Sequence, residues 1–422
     1  MEKVSSSPSL DHFLTEYGKR LYFLTNGIVA QATAAATLAK VNATAGVAYD
    51  DAGKLMTLPS FQEFFGPDSN VLNYAPTPGI KALREKWLSK IHTKNPSLGN
   101  APTTLPIVTN GLTHGINIAG QLFLAPGEKV FLADKYWDNY ELMFEMGLQA
   151  KLNTFPTFHE NGYNIPAIER LALHEPIGKK VFVFNVPNNP TGYSPTLKEQ
   201  TEIVDIITRS AEAGNYLVIL CDDAYFGLNY EDDIAPESIF AHLANAHENI
   251  LAVKIDGATK EEFAWGARLG FITIGGKSLT GTDIALLENK IAGSIRSNAS
   301  NGCRPSQEAL LKLLNNPKHE AEKAAAAAIL KERFIVSKTV LAQNAETFSH
   351  CFHALPANSG YFLCLELNQG IDGEQARQEL LKKYNTGIIA VDNWLRVAFS
   401  AVGKEKIPEL FHNIHQVCAE QL

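Results

Sequence analysis

A chain of 422 residues, 45% hydrophobic and 19% charged, is long enough for two or three domains with a substantial core and has the composition of an ordinary globular protein. Its net charge of −8 and isoelectric point near 5.9 offer no basic face, which argues against nucleic acid or an anionic membrane as a partner. The five cysteines (Cys221, Cys303, Cys351, Cys364, Cys418) show no metal-binding spacing, and so few in so long a chain point to a reducing compartment.

The first residues, MEKVSSSPSLDHF, lack the charged-then-apolar build of a signal peptide. The Ala-rich stretch 28–47 is diluted by Gln31, Lys40, Asn42 and several threonines, too much for a membrane span. A cytoplasmic protein is expected. Further on, six short runs read as strands: LPIVTN (105–110), EKVFLAD (128–134), KKVFVFN (179–185), YLVILCDD (216–223), ILAVKID (250–256) and LGFITIG (269–275). Most are apolar nearly throughout, as strands buried on both faces should be. Helix-length segments at 113–124, 139–146 and 196–213 lie between them. That alternation predicts a doubly wound α/β domain.

After about residue 310 the texture changes. HEAEKAAAAAILKERFIVSKTVLAQNAETF (319–348) reads as one long helix of strong helix formers. GYFLCLEL and NWLRVAFSA follow as strands, with helices over 373–384 and 407–420. The expected organisation is an N-terminal segment 1–60 joining a small domain, a large domain 61–310 with a mostly parallel mixed sheet flanked by helices, and a smaller α+β domain 311–422.

Four features stand where strands end, and in an open α/β sheet ligands bind outside the carboxyl ends of the strands. TNGLTHG (109–115) is a Gly-bearing strand-to-helix turn whose free N–H groups suit a phosphate, although a plain turn reads the same way. NVPNNPTG (185–192) is stiffened by Pro187 and Pro190, and a rigid turn can hold the Asn189 amide at a fixed point. CDDAYFG (221–227) closes an apolar strand with two acids and a tyrosine. One acid there can pair with a buried cationic nitrogen, or simply cap a helix. KIDGATKEEFAWGARLG (254–270) sets Lys260 eight residues before Arg268. An amine and a guanidinium so placed suit a Schiff base with a phosphorylated aldehyde; the plain alternative is an exposed lysine and a structural arginine.

In this order and spacing, NNPTG, D-x-A-Y and K-x7-R-x-G resemble the fold-type-I pyridoxal-phosphate (PLP) enzymes, the class I/II aminotransferases related to aspartate aminotransferase. The resemblance runs from about Gly46 to Ser400. It implies that Lys260 holds the cofactor aldehyde and that Asp222 keeps the pyridine nitrogen protonated. Tyr225 and Asn189 match the groups bonding the ring's phenolate oxygen. Gly111, Leu112, Thr113 and Arg268 match the phosphate cradle. Trp137 resembles the aromatic stacked on the ring, with Tyr136 second. Arg396 resembles the arginine gripping the substrate α-carboxylate, and Gly46 a backbone contact to it. Tyr74 and Arg296 match residues that cross a homodimer interface, to the partner's phosphate and to a substrate's distal carboxylate.

Two departures stand out. Gly257 replaces the serine usual three residues before the lysine, with Thr259 as an alternative hydroxyl, and SNGC (300–303) stands where aspartate-using members show prolines. The implied activity is amino transfer from an L-amino acid, such as aspartate or glutamate, to a 2-oxo acid by a ping-pong route. Aromatic donors, a lyase or decarboxylase on the same scaffold, and a cofactor-sensing regulator are the alternatives. The regulator is disfavoured by the acidic chain and by the roughly 25 residues before the Ala-rich segment.

Overall fold

All six apolar runs become strands of one seven-stranded sheet in the computed structural model, which describes residues 28–44, 46–54, 56, 58–62 and 74–422. The stretch read against a signal peptide lies outside the described residues. In chain order the strands are β1 (Ile107–Asn110), β2 (Lys129–Ala133), β3 (Lys151–Phe155), β4 (Lys179–Asn185), β5 (Tyr216–Asp222), β6 (Ile250–Gly257) and β7 (Leu269–Gly275). Their order across the sheet is β1-β7-β6-β5-β4-β2-β3. All pairings are parallel except those of β7, which runs antiparallel to both β1 and β6.

The strands β4 to β7 are buried on both faces, as their unbroken apolar runs require. The edge strand β3, KLNTF, carries too mixed a pattern to be read from sequence and buries only its last residue. Helices cover the sheet: α1 (Lys81–Lys94), α2 (Leu112–Phe123), α3 (Leu197–Glu212) and, directly after β6, the one-turn α4 (Ala258–Glu261). The start of α3 is fixed by a capping box in which Thr196 accepts from the Glu199 N–H while the Glu199 carboxylate accepts from the Thr196 N–H. The segment expected to be helical over 139–146 forms instead a wider π-type turn over Glu141–Gly147.

A four-stranded antiparallel sheet is built from β8 (Phe352–Ala354), β9 (Leu363–Leu367), β10 (Ile389–Val391) and β11 (Trp394–Val397), in the order β8-β9-β11-β10. The short strand Val41–Asn42 pairs in parallel with Thr386–Gly387, tying the N-terminal part of the described chain to this region. The expected single helix over 319–348 is broken: α5 (His319–Gln343) stops at Asn344, whose backbone leaves the helical region and whose side-chain amide donates to the Val340 carbonyl. A separate turn, Ala345–Phe348, follows. Among the described residues no helix is long and apolar enough to cross a membrane.

Candidate active site

The carboxyl ends of β4, β5 and β6 open on a cavity of about 640 Å³. Its wall includes Lys260, Asp222, Tyr225, Asn189, Trp137, Leu112, Thr113, Arg268, Gly46 and Arg396, residues spread over 350 positions of sequence and brought together by strand ends. Of the two aromatic candidates, Trp137 lines this cavity, whereas Tyr136 turns its hydroxyl to Glu141 at 2.7 Å.

Lys260 stands on α4, with its amine 5.0 Å from the centre of the Tyr225 ring. Burial lowers its pKa to about 8, with the Asp222 charge opposing and the Arg268 charge assisting. Asp222 is the last residue of β5 and is 3% exposed. Its Oδ2 accepts from the Tyr140 hydroxyl, while Oδ1 is buried without any partner. Burial pushes this carboxyl up to about 6, against the Tyr140 hydrogen bond and the Lys260 charge. The neighbouring Asp223 is already engaged, bound by Lys254 and by the Ser238 hydroxyl at 2.6 Å.

The hairpin between β6 and β7 carries Lys260 out and Arg268 back. Arg268 adopts a left-handed backbone at φ 51° and lies over Gly111, where any Cβ would collide with its guanidinium. Gly111, at φ 79°, precedes α2, whose first residues Leu112 and Thr113 line the cavity with N–H groups that have no acceptor inside the helix. Gly257 pairs with Gly270 across the neck of the hairpin. A Cβ at Gly257 would sit 2.5 Å from the Leu269 carbonyl and 2.8 Å from the Gly270 Cα, so this packing has no room for a serine there. The Thr259 hydroxyl is buried at the cavity without a partner.

At Arg396, on β11, Nη1 donates to the Asn189 Oδ1 at 3.1 Å and Nη2 to the Thr44 carbonyl at 3.2 Å. The guanidinium lies over the Phe362 ring at 4.3 Å, and its Nε is buried without a partner. Burial lowers its pKa, though arginine stays a cation. Accepting from Arg396 at Oδ1 leaves the Asn189 Nδ2 as the donor of that amide.

Tyr74 and Arg296 do not line the cavity of their own chain. Tyr74 is 87% exposed, and its carbonyl accepts from Arg304 at 3.2 Å. Arg296 is exposed and donates to the Ser300 hydroxyl at 2.7 Å, and Thr77 donates to Asn301 at 3.0 Å. The two residues therefore belong to one surface region.

Behind the Lys260 turn lies a buried ionic cluster. Glu261 contacts Lys90, Lys94 and Lys323, and Glu262 contacts Lys90, Lys323 and His319. It ties α4 to α1 and to the first turn of α5. Burial lowers the Lys94 pKa to about 8. Sequence reading missed this cluster, and it missed Tyr140, Thr44 and Phe362. The pair EE directly after Lys260 was its only local trace.

An unpaired carboxylate oxygen, an orphaned hydroxyl, a guanidinium over a helix start and a depressed-pKa amine share one cavity, and this set fits a phosphorylated pyridine aldehyde. The fold and site thus define a large-sheet α/β protein with a buried lysine amine at a cavity beyond the strand ends. The sequence profile described as aminotransferase class I and II matches residues 39–414, and the chain belongs to that family, which uses pyridoxal phosphate. It is 30% identical to an aspartate/prephenate aminotransferase of Thermus thermophilus over 201 residues, 47% of each chain. It is 28% identical to aromatic-amino-acid aminotransferase 2 of Thermococcus litoralis over 205 residues, 49% of this chain and 50% of that one. The chain thus spans about half the length of these curated relatives. An aminotransferase structure from Anaerococcus prevotii superposes with a TM-score of 0.81 at 25% identity, covering 95% of this chain and 98% of that one. A kynurenine aminotransferase of Pyrococcus horikoshii shares the fold with a TM-score of 0.79 at 16% identity, covering 98% and 99%.

Proposed function

We propose that the protein transfers an amino group between an L-amino acid, aspartate or glutamate in the first place, and a 2-oxo acid by ping-pong kinetics. The observation that carries this reading is the presence, on one cavity, of the Lys260 amine, the unpaired Oδ1 of Asp222 and the Arg396 guanidinium. Pyridoxal phosphate, when bound, supplies an electron sink for the pair left at the substrate α-carbon. Lys260 holds the cofactor and moves the α-proton at its Nζ; a pKa near 8 suits an amine that must both take and give a proton. Asp222 would keep the pyridine nitrogen protonated through its unpaired Oδ1. The Tyr225 hydroxyl and the Asn189 Nδ2, both at the cavity, would donate to the ring's phenolate oxygen. The start of α2 (Gly111, Leu112, Thr113), Thr259 and Arg268 would hold the phosphate, and Trp137 would stack on the ring. Arg396 takes the α-carboxylate, backed by the Gly46 segment.

We further propose a homodimer with shared sites. The exposed region containing Tyr74 and Arg296, neither of which lines its own cavity, supports that assembly. We read 61–310 as the cofactor domain and 1–60 with 311–422 as the small domain. The five cysteines are free thiols, which supports a reducing cytoplasm.

Arg296→Ala tests the donor. A charge-assisted pair with a distal carboxylate is worth about 1.5–3 kcal/mol. Its loss lowers kcat/KM for aspartate roughly ten- to a hundredfold and leaves phenylalanine nearly untouched. Equal losses on both overturn the dicarboxylate reading. A second reading, a bulky neutral donor, is favoured by the cavity wall itself, where Ala32 and Ala36 leave room beside Tyr49, Trp137 and Phe362. On that reading phenylalanine is the better substrate of the unmodified protein.

A further inference from the structure

Arg333, midway along α5, is 0% exposed and takes no part in lining the cavity. Its two terminal nitrogens reach different segments of chain. Nη1 donates to the carbonyl of Ser400, four residues beyond Arg396. Nη2 donates to the carbonyl of Tyr49 and, at 3.3 Å, to the Asp51 carboxylate. Gly46, Tyr49 and Arg396 all line the cavity. A second bridge joins the same two segments: the Ser400 hydroxyl donates to the Val47 carbonyl at 3.3 Å. A third, from the Ala398 N–H to the Ala43 carbonyl at 2.9 Å, lies next to Thr44, the residue whose carbonyl orients Arg396.

A buried guanidinium is costly to desolvate, and here it is not paired with a buried acid, because Asp51 is 60% exposed. Its work is done on backbone carbonyls. A planar fork with fixed angles between its donors sets the separation of the two carbonyls it holds, which a flexible ammonium does not. We propose that Arg333 is a positioning residue for the carboxylate end of the substrate site, fixing the 46–51 segment against the strand end that carries Arg396 and thereby setting affinity for any 2-amino or 2-oxo acid. The inference rests on the reading that Arg396 takes the α-carboxylate. It adds that the grip is assembled from outside the cavity, by a helix that never touches substrate.

The test compares holoenzyme variants Arg333→Met, Arg333→Lys, Ser400→Ala and Arg396→Lys in steady-state kinetics with aspartate and with phenylalanine, and in equilibrium binding of succinate. Arg333→Met raises KM for both amino acids and the succinate Kd by about tenfold, with kcat held within about threefold. Arg333→Lys restores part of that loss, and Ser400→Ala gives a smaller shift in the same direction. The absorbance of the bound cofactor stays unchanged in all three. If Arg333→Met fails to fold, Arg333→Lys and Ser400→Ala decide the matter. Unchanged KM and succinate Kd in those two folded variants overturn the proposal, as does a fall in kcat without a rise in KM. Arg396→Lys separates the two levels: if it leaves KM and the succinate Kd unchanged, the α-carboxylate assignment itself is wrong. If it raises both while the Arg333 variants do not, only the positioning role is lost.

Discussion

The Tyr140 hydroxyl donates to one oxygen of Asp222 and thereby leaves the other, Oδ1, free at the cavity. A buried carboxylate oxygen left without a partner calls for an explanation, and the proposed pairing with a cationic ring nitrogen supplies one. The same arrangement gives the cofactor-free protein a measurable weakness.

In the cofactor-free protein, burial raises the Asp222 carboxyl from 3.8 to about 6, so the folded state binds its proton more tightly than the unfolded chain does. Its contribution is fully present below the unfolded value and is lost as pH rises through about 6. At neutral pH the buried anion costs about 3 kcal/mol. Asp222→Asn cannot ionise. Denaturant unfolding of the two apoproteins across this range is expected to show the wild type losing stability relative to the variant as pH rises. Parallel curves would place the unpaired charge elsewhere. With cofactor loaded, Asp222→Asn keeps the ligand but loses most turnover.

Lys260→Ala is expected to purify without covalently held cofactor, and borohydride then fixes no pyridoxyl group to the chain. Peptide mapping of the reduced wild type finds the label on Lys260. A label on Lys254 would contradict the structure directly, since that amine is buried against Asp223 and Asp256.

Thr259→Val removes a hydroxyl that satisfies nothing in the cofactor-free fold, so apoprotein stability stays the same or rises slightly. Pyridoxal phosphate affinity falls about tenfold, measured by equilibrium dialysis, from the loss of one charge-assisted bond. Gly257→Ser, which restores the residue usual in the wider family, destabilises the protein by about 1–3 kcal/mol through overpacking and does not tighten cofactor binding. An improved affinity in that variant would mean the hairpin neck yields more easily than its packing implies.

Lys323→Met leaves Glu261 and Glu262 short of one of the lysines they share. Breaking a buried ion pair from one side costs about 3–5 kcal/mol, and thermal unfolding is the readout. Glu262→Gln, at a carboxyl held well below its ordinary range by Lys90, Lys323 and His319 against the cost of burial, loses stability most clearly above the usual glutamate pKa. The difference from wild type narrows as pH falls through the lower, folded-state value. A constant difference across pH would argue that shape rather than charge is at stake.

Much of this was legible in the sequence, for particular reasons. Strands such as YLVILCD declare themselves because burial on both faces demands an unbroken apolar run, and a candidate such as Asp222 stood out because it closes one. What sequence did not show depends on side chains meeting from distant elements. Nothing in YWDNY marks Tyr140 as the partner of Asp222 rather than an ordinary core ring, because the contact spans 82 positions. The sequence does not show that Lys90 and Lys94 meet Lys323 at Glu261, because α1, the Lys260 turn and α5 are joined only by the fold. The break at Asn344 was hidden by strong helix formers on both sides, and one side-chain amide decided it.

The antiparallel return of β7 turns the interval between Lys260 and Arg268 into a ruler. Gly257 and Gly270 pin the neck of that hairpin, so the count of residues beyond the neck fixes where amine and guanidinium emerge. One residue inserted between them would leave both side chains in place on paper, with the sheet unharmed and every motif letter intact. On the proposed reading, in which Lys260 and Arg268 hold the two ends of one rigid ligand, both ends would no longer be reachable at once. A one-residue insertion in this loop is therefore expected to cost more cofactor affinity than an exchange of an exposed residue between Lys260 and Arg268 does.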